Sequence, residues 1–391
     1  MRLLCAGGGS GGHVTPVLAV INELAKTDPS LEVMFVCDKA FFEQAKGLMA
    51  HATVPVEIVT VPAGKFRRYS NISLYQKMID LSTHGKNAVD LFKLMGGLSK
   101  SIKLFQRFRP DVVFAKGGFV CLPVGYAANL LKIPLVIHDS DARPGLTNRL
   151  LAGYASRIAT GMPVENYPTY KKSITTQTGV PIGDKFRIYS QAEQGALRSR
   201  LGLASDRPVV VITGGGLGSM SINRAILSGS ERLLQRGVQI YHICGKNNYN
   251  KLRGLVPKDE NYKLVPFVYE NMHEILAVAD VVVARGSATF MQELAALARP
   301  TIMIPAKVLG DQVKNAEIYE RANAAVVLSD DAIAQGDTLV LAILELLDNP
   351  DYSASISTAL HAFARPDAAT QVAKLILEVV AQPKGSHEAV S

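Results

Sequence analysis

The chain has 391 residues, of which 48% are hydrophobic and 19% charged, so it can bury sizeable cores and is not a disordered or low-complexity protein. At about 150 residues per domain, this length favours two or three domains. The four cysteines lie far apart without a C-x-x-C pair, which fits neither a zinc site nor a disulfide framework. We expect buried, reduced thiols in a cytosolic protein.

The apolar segments are short. The first residues offer one arginine and a brief apolar run before glycines begin, which is too short for a signal peptide. The longest nearly apolar stretch, 119–131, is interrupted by Pro123, Gly125 and Asn129, and a spanning helix needs roughly 18 to 20 residues. We expect neither export nor a membrane span.

Short apolar runs alternate with helical patterns along the chain, as in open α/β sheets whose parallel strands are covered on both faces. A first series of predicted strands comprises 3–6, 33–37, 56–61, 112–115 and 135–138. A second series comprises 209–213, 239–244, 263–267, 281–284, 301–305 and 325–328. The two series predict two related α/β domains.

The domain boundaries are predicted from turn-forming residues between these two series of strands. The segment 162–181 has three prolines and a Gly-Val-Pro turn signal, so we expect a linker there. The predicted domains are 1–162 and 163–366. A helix over 367–381 is expected to complete the first domain, and 382–391 is expected to be a flexible tail.

Three glycine loops follow predicted strands, with sequences GGGSGGH at 7–13, KGGF at 116–119 and GGGLG at 214–218. Backbone N–H groups that no side chain covers favour an anionic oxygen or a pyrophosphate at such a place. None of the loops is the usual Rossmann fingerprint or a P-loop, and each alone is compatible with a tight strand-to-helix turn. Three together favour anion binding.

Two titratable side chains stand out beside these loops. His13 ends the first loop, where a neutral imidazole can take a proton from an attacking hydroxyl; the alternative is a helix-capping histidine. Glu293 lies on an otherwise apolar helix start, where a carboxylate can hold both hydroxyls of a ribose. Its alternative role is an interaction with the helix dipole in the first turn.

The positive charge is local. Segment 64–109 has ten basic residues against two acidic ones, an excess equal to the net charge of +8 of the whole chain. An apolar stripe at helical spacing over 91–105 is compatible with ordinary core or with a membrane surface. For the cluster just before it we expect contact with an anionic membrane or with the acceptor; its members are Lys65, Phe66, Arg67, Arg68, Tyr69, Leu74 and Tyr75. No helix-turn-helix, RNP-like or zinc signature accompanies the charge, so nucleic acid is not expected as a partner.

On these residues the chain resembles the MurG family of glycosyltransferases over nearly its whole length. The motifs are 8–13 with Pro16, GKFRRY at 64–69, RPDVV at 109–113, KGGF at 116–119, PGLTNR at 144–149, RGSA at 285–288, ELAAL at 293–297, DQ at 311–312 and NAE at 315–317. The resemblance implies an α/β GT-B architecture, with two Rossmann-like domains whose parallel sheets face a central cleft. It implies an inverting transfer of GlcNAc from UDP-GlcNAc to the C4 hydroxyl of MurNAc in undecaprenyl-pyrophosphoryl-MurNAc-pentapeptide (lipid I), which forms lipid II in peptidoglycan synthesis.

The resemblance also implies where each substrate binds. The donor UDP-GlcNAc would bind to the second domain. Glu293 would contact the ribose, and Phe267 and Val268 the uracil. Asp311 and Gln312 would contact GlcNAc, and Arg285 would lie in the same site. The residues at the diphosphate would be Gly214, Gly215, Gly216, Leu217, Gly218, Ser287, Ala288 and Thr289. The acceptor would contact Ser10, Gly11, Gly12, Gly117, Gly118, Asp139 and Asn148, with His13 as the candidate base. No cofactor and no metal are expected. The implied location is peripheral, on the anionic inner leaflet at the cytoplasmic face of the cell membrane, with cell-wall synthesis and division proteins as partners.

The chain differs from the commonest family pattern at three places. The motif His138-Asp139-Ser140-Asp141 stands where many members have His-Glu-Gln-Asn. Gly183 stands where an arginine is usual, with Lys185 and Arg187 as candidates to replace it, and Gly216 stands where a serine is usual. The alternatives to lipid I as acceptor are another lipid or a small molecule. A non-catalytic nucleotide-sugar-binding relative and epimerase-like chemistry on the same fold are further alternatives.

Overall fold

The computed structural model describes residues 1–8, 11–64, 81–268 and 270–382. Within them the chain forms two compact units, Met1–Gly183 with the residues from Asp367 onwards, and Asp184–Pro366. Each unit is built on one parallel sheet, which confirms the expected pair of Rossmann-like α/β domains.

The sheet of the first unit has, among the described residues, seven strands in the order β3-β2-β1-β4-β5-β6-β7. Their bounds are Arg2–Ala6 (β1), Glu32–Cys37 (β2), Val56–Thr60 (β3), Val112–Ala115 (β4), Leu135–Asp139 (β5), Arg157–Thr160 (β6) and Thr175–Gln177 (β7). The helices are Thr15–Thr27 (α1), Phe42–Met49 (α2), Leu81–Phe108 (α3), Cys121–Leu130 (α4) and Leu146–Leu151 (α5). The central strands are apolar and buried on both faces, as predicted for parallel strands.

The second unit repeats this plan. Its described strands form a sheet in the order β10-β9-β8-β11-β12-β13. Their bounds are Val209–Thr213 (β8), Gln239–Ile243 (β9), Tyr262–Val265 (β10), Val281–Ala284 (β11), Thr301–Met303 (β12) and Val326–Val327 (β13). The helices are Gln191–Leu201 (α6), Met220–Gln235 (α7), Lys246–Leu252 (α8), Met272–Ala277 (α9), Ala288–Leu297 (α10), Gly310–Arg321 (α11), Asp330–Ile333 (α12), Thr338–Asp348 (α13) and Pro350–His361 (α14).

Local sequence explains where the first helix of the second unit begins and ends. Ser190 and Glu193 form a capping box at the amino end of α6, because each side chain accepts from the backbone N–H of the other. Gly202 ends the helix in the left-handed conformation, with φ of 68°.

The helix Ala368–Ala381 (α15) belongs to the first unit. Thr370 donates a hydrogen bond to Glu23 of α1 over 2.9 Å. Val372, Ile376 and Val379 lie in the core beneath the first sheet. The first unit is therefore built from both ends of the chain.

Replacing Ile376 with alanine should show how much α15 stabilises the first unit. Ile376 is fully buried, so we expect a loss of about 2–4 kcal/mol in the free energy of unfolding, measured by calorimetry or denaturant. Its neighbour Leu377 is 36% exposed and provides the matched control. Equal losses for Ile376→Ala and Leu377→Ala would contradict this packing.

The segment 162–181 is not a linker. It contains β7, and Tyr167 and Tyr170 stack with ring centroids 5.5 Å apart. Both rings are buried, so the first unit extends to Gly183, beyond the predicted boundary at 162. The prolines correctly indicated irregular backbone, but they do not determine which unit that backbone packs on.

The apolar stripe at 91–105 divides between core and surface. Phe105 is buried, and Leu94, Leu98 and Ile102 are half-buried, as for ordinary core. Met95 is 58% exposed on the same helix, and its neighbour Phe92 is 79% exposed. This helix thus presents large apolar side chains to solvent within the basic segment.

Candidate functional site

The strand order reverses direction between β1 and β4 in the first unit and between β8 and β11 in the second. In open parallel sheets, ligands bind outside the carboxyl ends of the strands at such switch points. All three predicted glycine loops begin there, after β1, β4 and β8. The topology thus brings two loops together in the first unit.

The two loops of the first unit touch through their backbones. Gly117 and Gly118 have φ of 119° and 88°, which side chains rarely adopt. A Cβ on Gly118 would lie 2.5 Å from the carbonyl oxygen of Gly8. Glycine is therefore required for this approach, and it leaves backbone amides uncovered.

His13 ends a short 3-10 helix, Gly11–His13, and lies beside the second loop. A Cβ on Gly117 would be 3.3 Å from both Cε1 and Nδ1 of the imidazole. Nδ1 is buried without a hydrogen-bond partner in the described structure, and helix α1 has Val14 at its N-cap with no side-chain cap. These contacts do not support the helix-capping alternative.

Burial, and secondarily the charge of Lys116, lower the pKa of His13 to about 3. The imidazole is therefore neutral at physiological pH. A neutral ring with an unused nitrogen at a glycine loop can accept a proton from a hydroxyl.

Lys116 connects the second loop to the end of β5. Its side chain is 2% exposed, and Nζ donates to Oγ of Ser140 over 2.5 Å. Burial lowers the pKa of this ammonium to about 8, although Asp139 and Asp141 act in the opposite direction. The sequence analysis placed Lys116 in the second glycine loop but gave it no role. A charged residue directly after a buried strand could have indicated one.

Two predicted acceptor contacts, Asp139 at the end of β5 and Asn148 in α5, are held by hydrogen bonds. Oδ2 of Asp139 accepts from the Gly145 amide over 2.8 Å and from the Tyr170 hydroxyl over 2.7 Å. Burial raises the pKa of this carboxyl to about 6 against those hydrogen bonds. Nδ2 of Asn148 donates to the His138 carbonyl over 2.9 Å, which leaves its buried Oδ1 without a partner among the described residues. Nothing in the sequence indicated that Tyr170 contacts Asp139.

The third loop, 214–218, packs closely on its surroundings in the second unit. A Cβ on Gly214 would collide with the amide of Ser219, and one on Gly218 would lie 2.9 Å from Cα of Gly245. Gly215, Gly216 and Leu217 are exposed at the tip. The loop leads into the amino end of α7, where the helix dipole favours an anion.

Arg285 follows β11 and ties the neighbouring elements together. Its guanidinium donates to Ser219 over 2.5 Å, to Ser221 over 2.9 Å and to Asp330 over 3.0 Å. These partners keep the charge at the foot of the third loop. A direct contact between Arg285 and the donor stays a prediction.

Glu293 lies on α10, which begins after Ser287, whose side chain accepts from the Phe290 amide. The first turn of this helix contains no acidic residue, since Glu293 lies in the second turn, so the helix-dipole role does not apply. Its side chain is 8% exposed, and burial alone raises its pKa to about 8. Among the described residues no cation shifts its pKa, and a buried carboxyl in that situation is costly and indicates a ligand-binding role.

The remaining donor candidates border the same sheet edge. Phe267 and Val268 lie in the loop after β10, with the Lys246 ammonium 5.4 Å from the centroid of the Phe267 ring. Gln312 and Asp311 are half-buried at the start of α11, where Oε1 of Gln312 accepts from the Ala306 amide over 3.0 Å. Ala288 and Thr289 open α10.

Several predicted contacts fall outside the described residues. These are Ser10 and the basic cluster, Lys65, Phe66, Arg67, Arg68, Tyr69, Leu74 and Tyr75. Of the candidates to replace the missing arginine at Gly183, Arg187 pairs with Glu193 over 2.6 Å. The described residues hold no group of three or more His, Cys, Asp or Glu side chains that could ligate a metal. Within the same ranges, no helix has both the length and the apolar character to cross a bilayer. All four cysteines are buried and unbridged.

Comparison with known proteins matches both units. The model of the glycosyltransferase family 28 N-terminal domain matches residues 3–160, and that of the family 28 C-terminal domain matches 209–372. UDP-N-acetylglucosamine--N-acetylmuramyl-(pentapeptide) pyrophosphoryl-undecaprenol N-acetylglucosamine transferases are similar over 97% of this chain and 99% of their own length. Identity is 32% for that of Lactococcus lactis and 30% for that of Halalkalibacterium halodurans.

A solved structure agrees at the level of the fold. The crystal structure of Acinetobacter baumannii MurG is 21% identical in sequence and superposes with a TM-score of 0.68, over 96% of this chain and 99% of its own. The two-sheet architecture of this chain thus has a counterpart among solved structures. The chain belongs to glycosyltransferase family 28 and, within it, to the MurG family of N-acetylglucosaminyltransferases.

Proposed function

We propose that this enzyme transfers GlcNAc from UDP-GlcNAc to the C4 hydroxyl of MurNAc in lipid I and so forms lipid II. The observation that carries the proposal is the match, over 97% of the chain, to transferases named for this reaction. It is supported by glycine loops at both switch points and by a residue of suitable chemistry beside each site: the half-buried His13, whose Nδ1 is buried, and the buried Glu293.

The donor is proposed to bind the second unit. The carboxylate of Glu293 accepts hydrogen bonds from the ribose hydroxyls. The amides of loop 214–218 and the amino ends of α7 and α10 hold the diphosphate. When the bond between C1 of GlcNAc and the phosphate oxygen breaks, these same groups stabilise the negative charge on the leaving UDP.

The acceptor is proposed to bind the first unit, with its diphosphate against the loops that carry Gly12 and Gly117. Nδ1 of His13 removes the proton from the MurNAc hydroxyl as its oxygen forms the new bond to C1, which inverts the configuration there. A pKa of about 3 makes the free imidazole a weak base. The negative diphosphate of the acceptor raises it, since a nearby anion favours the protonated ring.

Transfer of radiolabelled GlcNAc from UDP-GlcNAc to a lipid I analogue tests the function, with EDTA present and diacylglycerol as a parallel acceptor. We expect product on lipid I, despite EDTA, and none on diacylglycerol. Transfer to diacylglycerol and not to lipid I would show that the proposed acceptor is wrong. UDP-GlcNAc binding without transfer to either acceptor would indicate a non-catalytic relative.

A second part of the proposal concerns location: the enzyme binds peripherally to an anionic membrane through its basic segment. The support is the charge of segment 64–109 together with the exposed Phe92 and Met95 on α3. Each cation near an anionic bilayer contributes about 1 kcal/mol.

Neutralising Lys65, Arg67 and Arg68 together to glutamine should weaken sedimentation with phosphatidylglycerol vesicles. We expect the remaining binding to depend less on salt concentration, because fewer charges interact with the lipid. The matched control replaces three exposed lysines outside the segment, Lys39, Lys171 and Lys172. Vesicle binding that is equal in both triple variants would exclude the cluster from the membrane contact.

A further inference from the structure

A chain of buried hydrogen bonds lies beneath the third glycine loop. The Tyr262 hydroxyl is 2.7 Å from Nδ1 of His242, and Nε2 of His242 is 2.9 Å from Oδ1 of Asn223. Nδ2 of Asn223 donates to the carbonyl of Cys244 over 3.0 Å. His242 and Asn223 are completely buried. Three elements, β10, β9 and α7, are thereby linked through one imidazole.

The direction of each hydrogen bond in this chain is fixed by its last member. The carbonyl of Cys244 can only accept, so the amide NH₂ of Asn223 points to it and Oδ1 points to His242. Nε2 of His242 must then carry the proton. Burial lowers the pKa of this ring to about 4, so Nδ1 is bare and accepts from the Tyr262 hydroxyl.

The carbonyl at the end of this chain supports the glycine loop. A Cβ on Gly218 would collide with the Cys244 oxygen, so the loop packs directly on that peptide. The same oxygen also accepts from Nδ2 of Asn248 over 2.9 Å. Asn223 lies in the first turn of α7, immediately after the loop. A shift of the Asn223 amide would therefore move the loop and the amino end of α7 together.

We propose that His242 is a positioning residue of the donor site. As the Nε2–H tautomer, it fixes the Asn223 amide and so holds loop 214–218 and the amino end of α7 in the arrangement that binds a nucleoside diphosphate. This inference rests on the proposed function, because it assigns the donor diphosphate to that loop. His242 itself does not touch the donor.

Three variants separate the two hydrogen bonds of the ring. His242→Phe keeps a ring but leaves Oδ1 of Asn223 and the Tyr262 hydroxyl without partners, and we expect the KM for UDP-GlcNAc to rise about tenfold or more. His242→Gln retains a donor toward Asn223 and should recover most of this loss. Tyr262→Phe removes only the outer hydrogen bond and should raise KM less than threefold. The KM for the lipid I analogue should not change in any of them.

The control for a purely structural effect is Leu233→Ala, at the far end of α7 in the same core. It should lower the melting temperature at least as much as His242→Phe and leave the KM for UDP-GlcNAc unchanged. If His242→Phe keeps KM within twofold of wild type, or if Leu233→Ala raises it equally, the positioning role is refuted.

Nitrogen-15 NMR of the histidine-labelled full chain tests the tautomer directly. We expect His242 as neutral Nε2–H at pH 7, and an Nδ1–H or doubly protonated ring would overturn the assignment. Calorimetry with UDP-GlcNAc keeps this test apart from the proposed function. Failure of the wild type to bind UDP-GlcNAc counts against the function, whereas wild-type binding with unimpaired His242→Phe counts against the inference alone.

Discussion

Replacing His13 with alanine is expected to lower kcat about 10² to 10⁴-fold with the lipid I analogue, because the variant loses the group that accepts the hydroxyl proton. The affinity for UDP-GlcNAc, measured by calorimetry, should stay unchanged, since the proposed donor contacts belong to the other unit. The matched control is His51→Ala, which removes an exposed histidine from the same unit. A His13→Ala enzyme that keeps a third of the wild-type kcat would make His13 a structural residue.

The pH dependence provides a second test of this assignment. Because burial lowers the pKa of His13 to about 3, its ring stays unprotonated in the free enzyme down to about pH 4. An acidic limb of kcat/KM near pH 6 would instead report Asp139, whose carboxyl has its pKa raised by burial to about 6 and is ionised only above it. Asp139→Asn should abolish such a limb. If the acidic limb persists in Asp139→Asn, Asp139 is excluded as the group that causes it.

Glu293 gives the second large effect, on donor affinity. At pH 9, where the carboxyl is ionised, Glu293→Ala should weaken UDP-GlcNAc binding by about 2 kcal/mol, roughly 30-fold in Kd, because two hydrogen bonds to a charged acceptor are lost. Burial holds the pKa of the free carboxyl at about 8, and ribose hydroxyls favour its ionised form. Binding of the wild type should therefore tighten about 30-fold from pH 6.5 to 9 and release a proton below pH 8. Calorimetry in buffers of different ionisation enthalpy measures both quantities.

Glu293→Gln is the informative companion variant, since an amide of nearly the same shape cannot titrate. Its Kd should be independent of pH over the same range. Glu320→Gln, an exposed carboxylate on α11, should keep the wild-type slope. A flat wild-type profile, or equal slopes in both variants, would remove Glu293 from the ribose site.

The apolar runs predicted the central strands because these strands are buried on both faces and so contain few polar residues. Strand β6, with the sequence RIAT, is buried at three of its four positions but has only two consecutive apolar residues, so it was missed. Strand β7 was missed because it is exposed. β7 lies at the sheet edge with two of its three residues exposed, and its sequence, TTQ, has no apolar run. The tyrosines of segment 162–181 pack on the first unit, but nothing in their spacing indicates which domain they join.

The candidate site divides in the same way. His13, Glu293 and the glycine loops could be predicted as candidates because each lies next to the end of a predicted strand or at a helix start, which are local features. The pairs Lys116–Ser140, Asp139–Tyr170 and His242–Asn223 join side chains that are 19 to 31 residues apart. Such contacts depend on which strands are neighbours in the sheet and on how the loops pack against it. Neither property produces a periodic pattern of residues in the sequence. Loops could be predicted, but the networks beneath them could not.

The return of α15 to the first unit constrains the order in which the chain can fold during its synthesis. Residues 184–366 are contiguous and can complete their unit as soon as they leave the ribosome. The first unit, although made earlier, keeps the core positions of Val372, Ile376 and Val379 unfilled until the last helix emerges. The unit synthesised first is therefore finished last, and its partly assembled core is exposed to chaperones and proteases throughout the translation of the second.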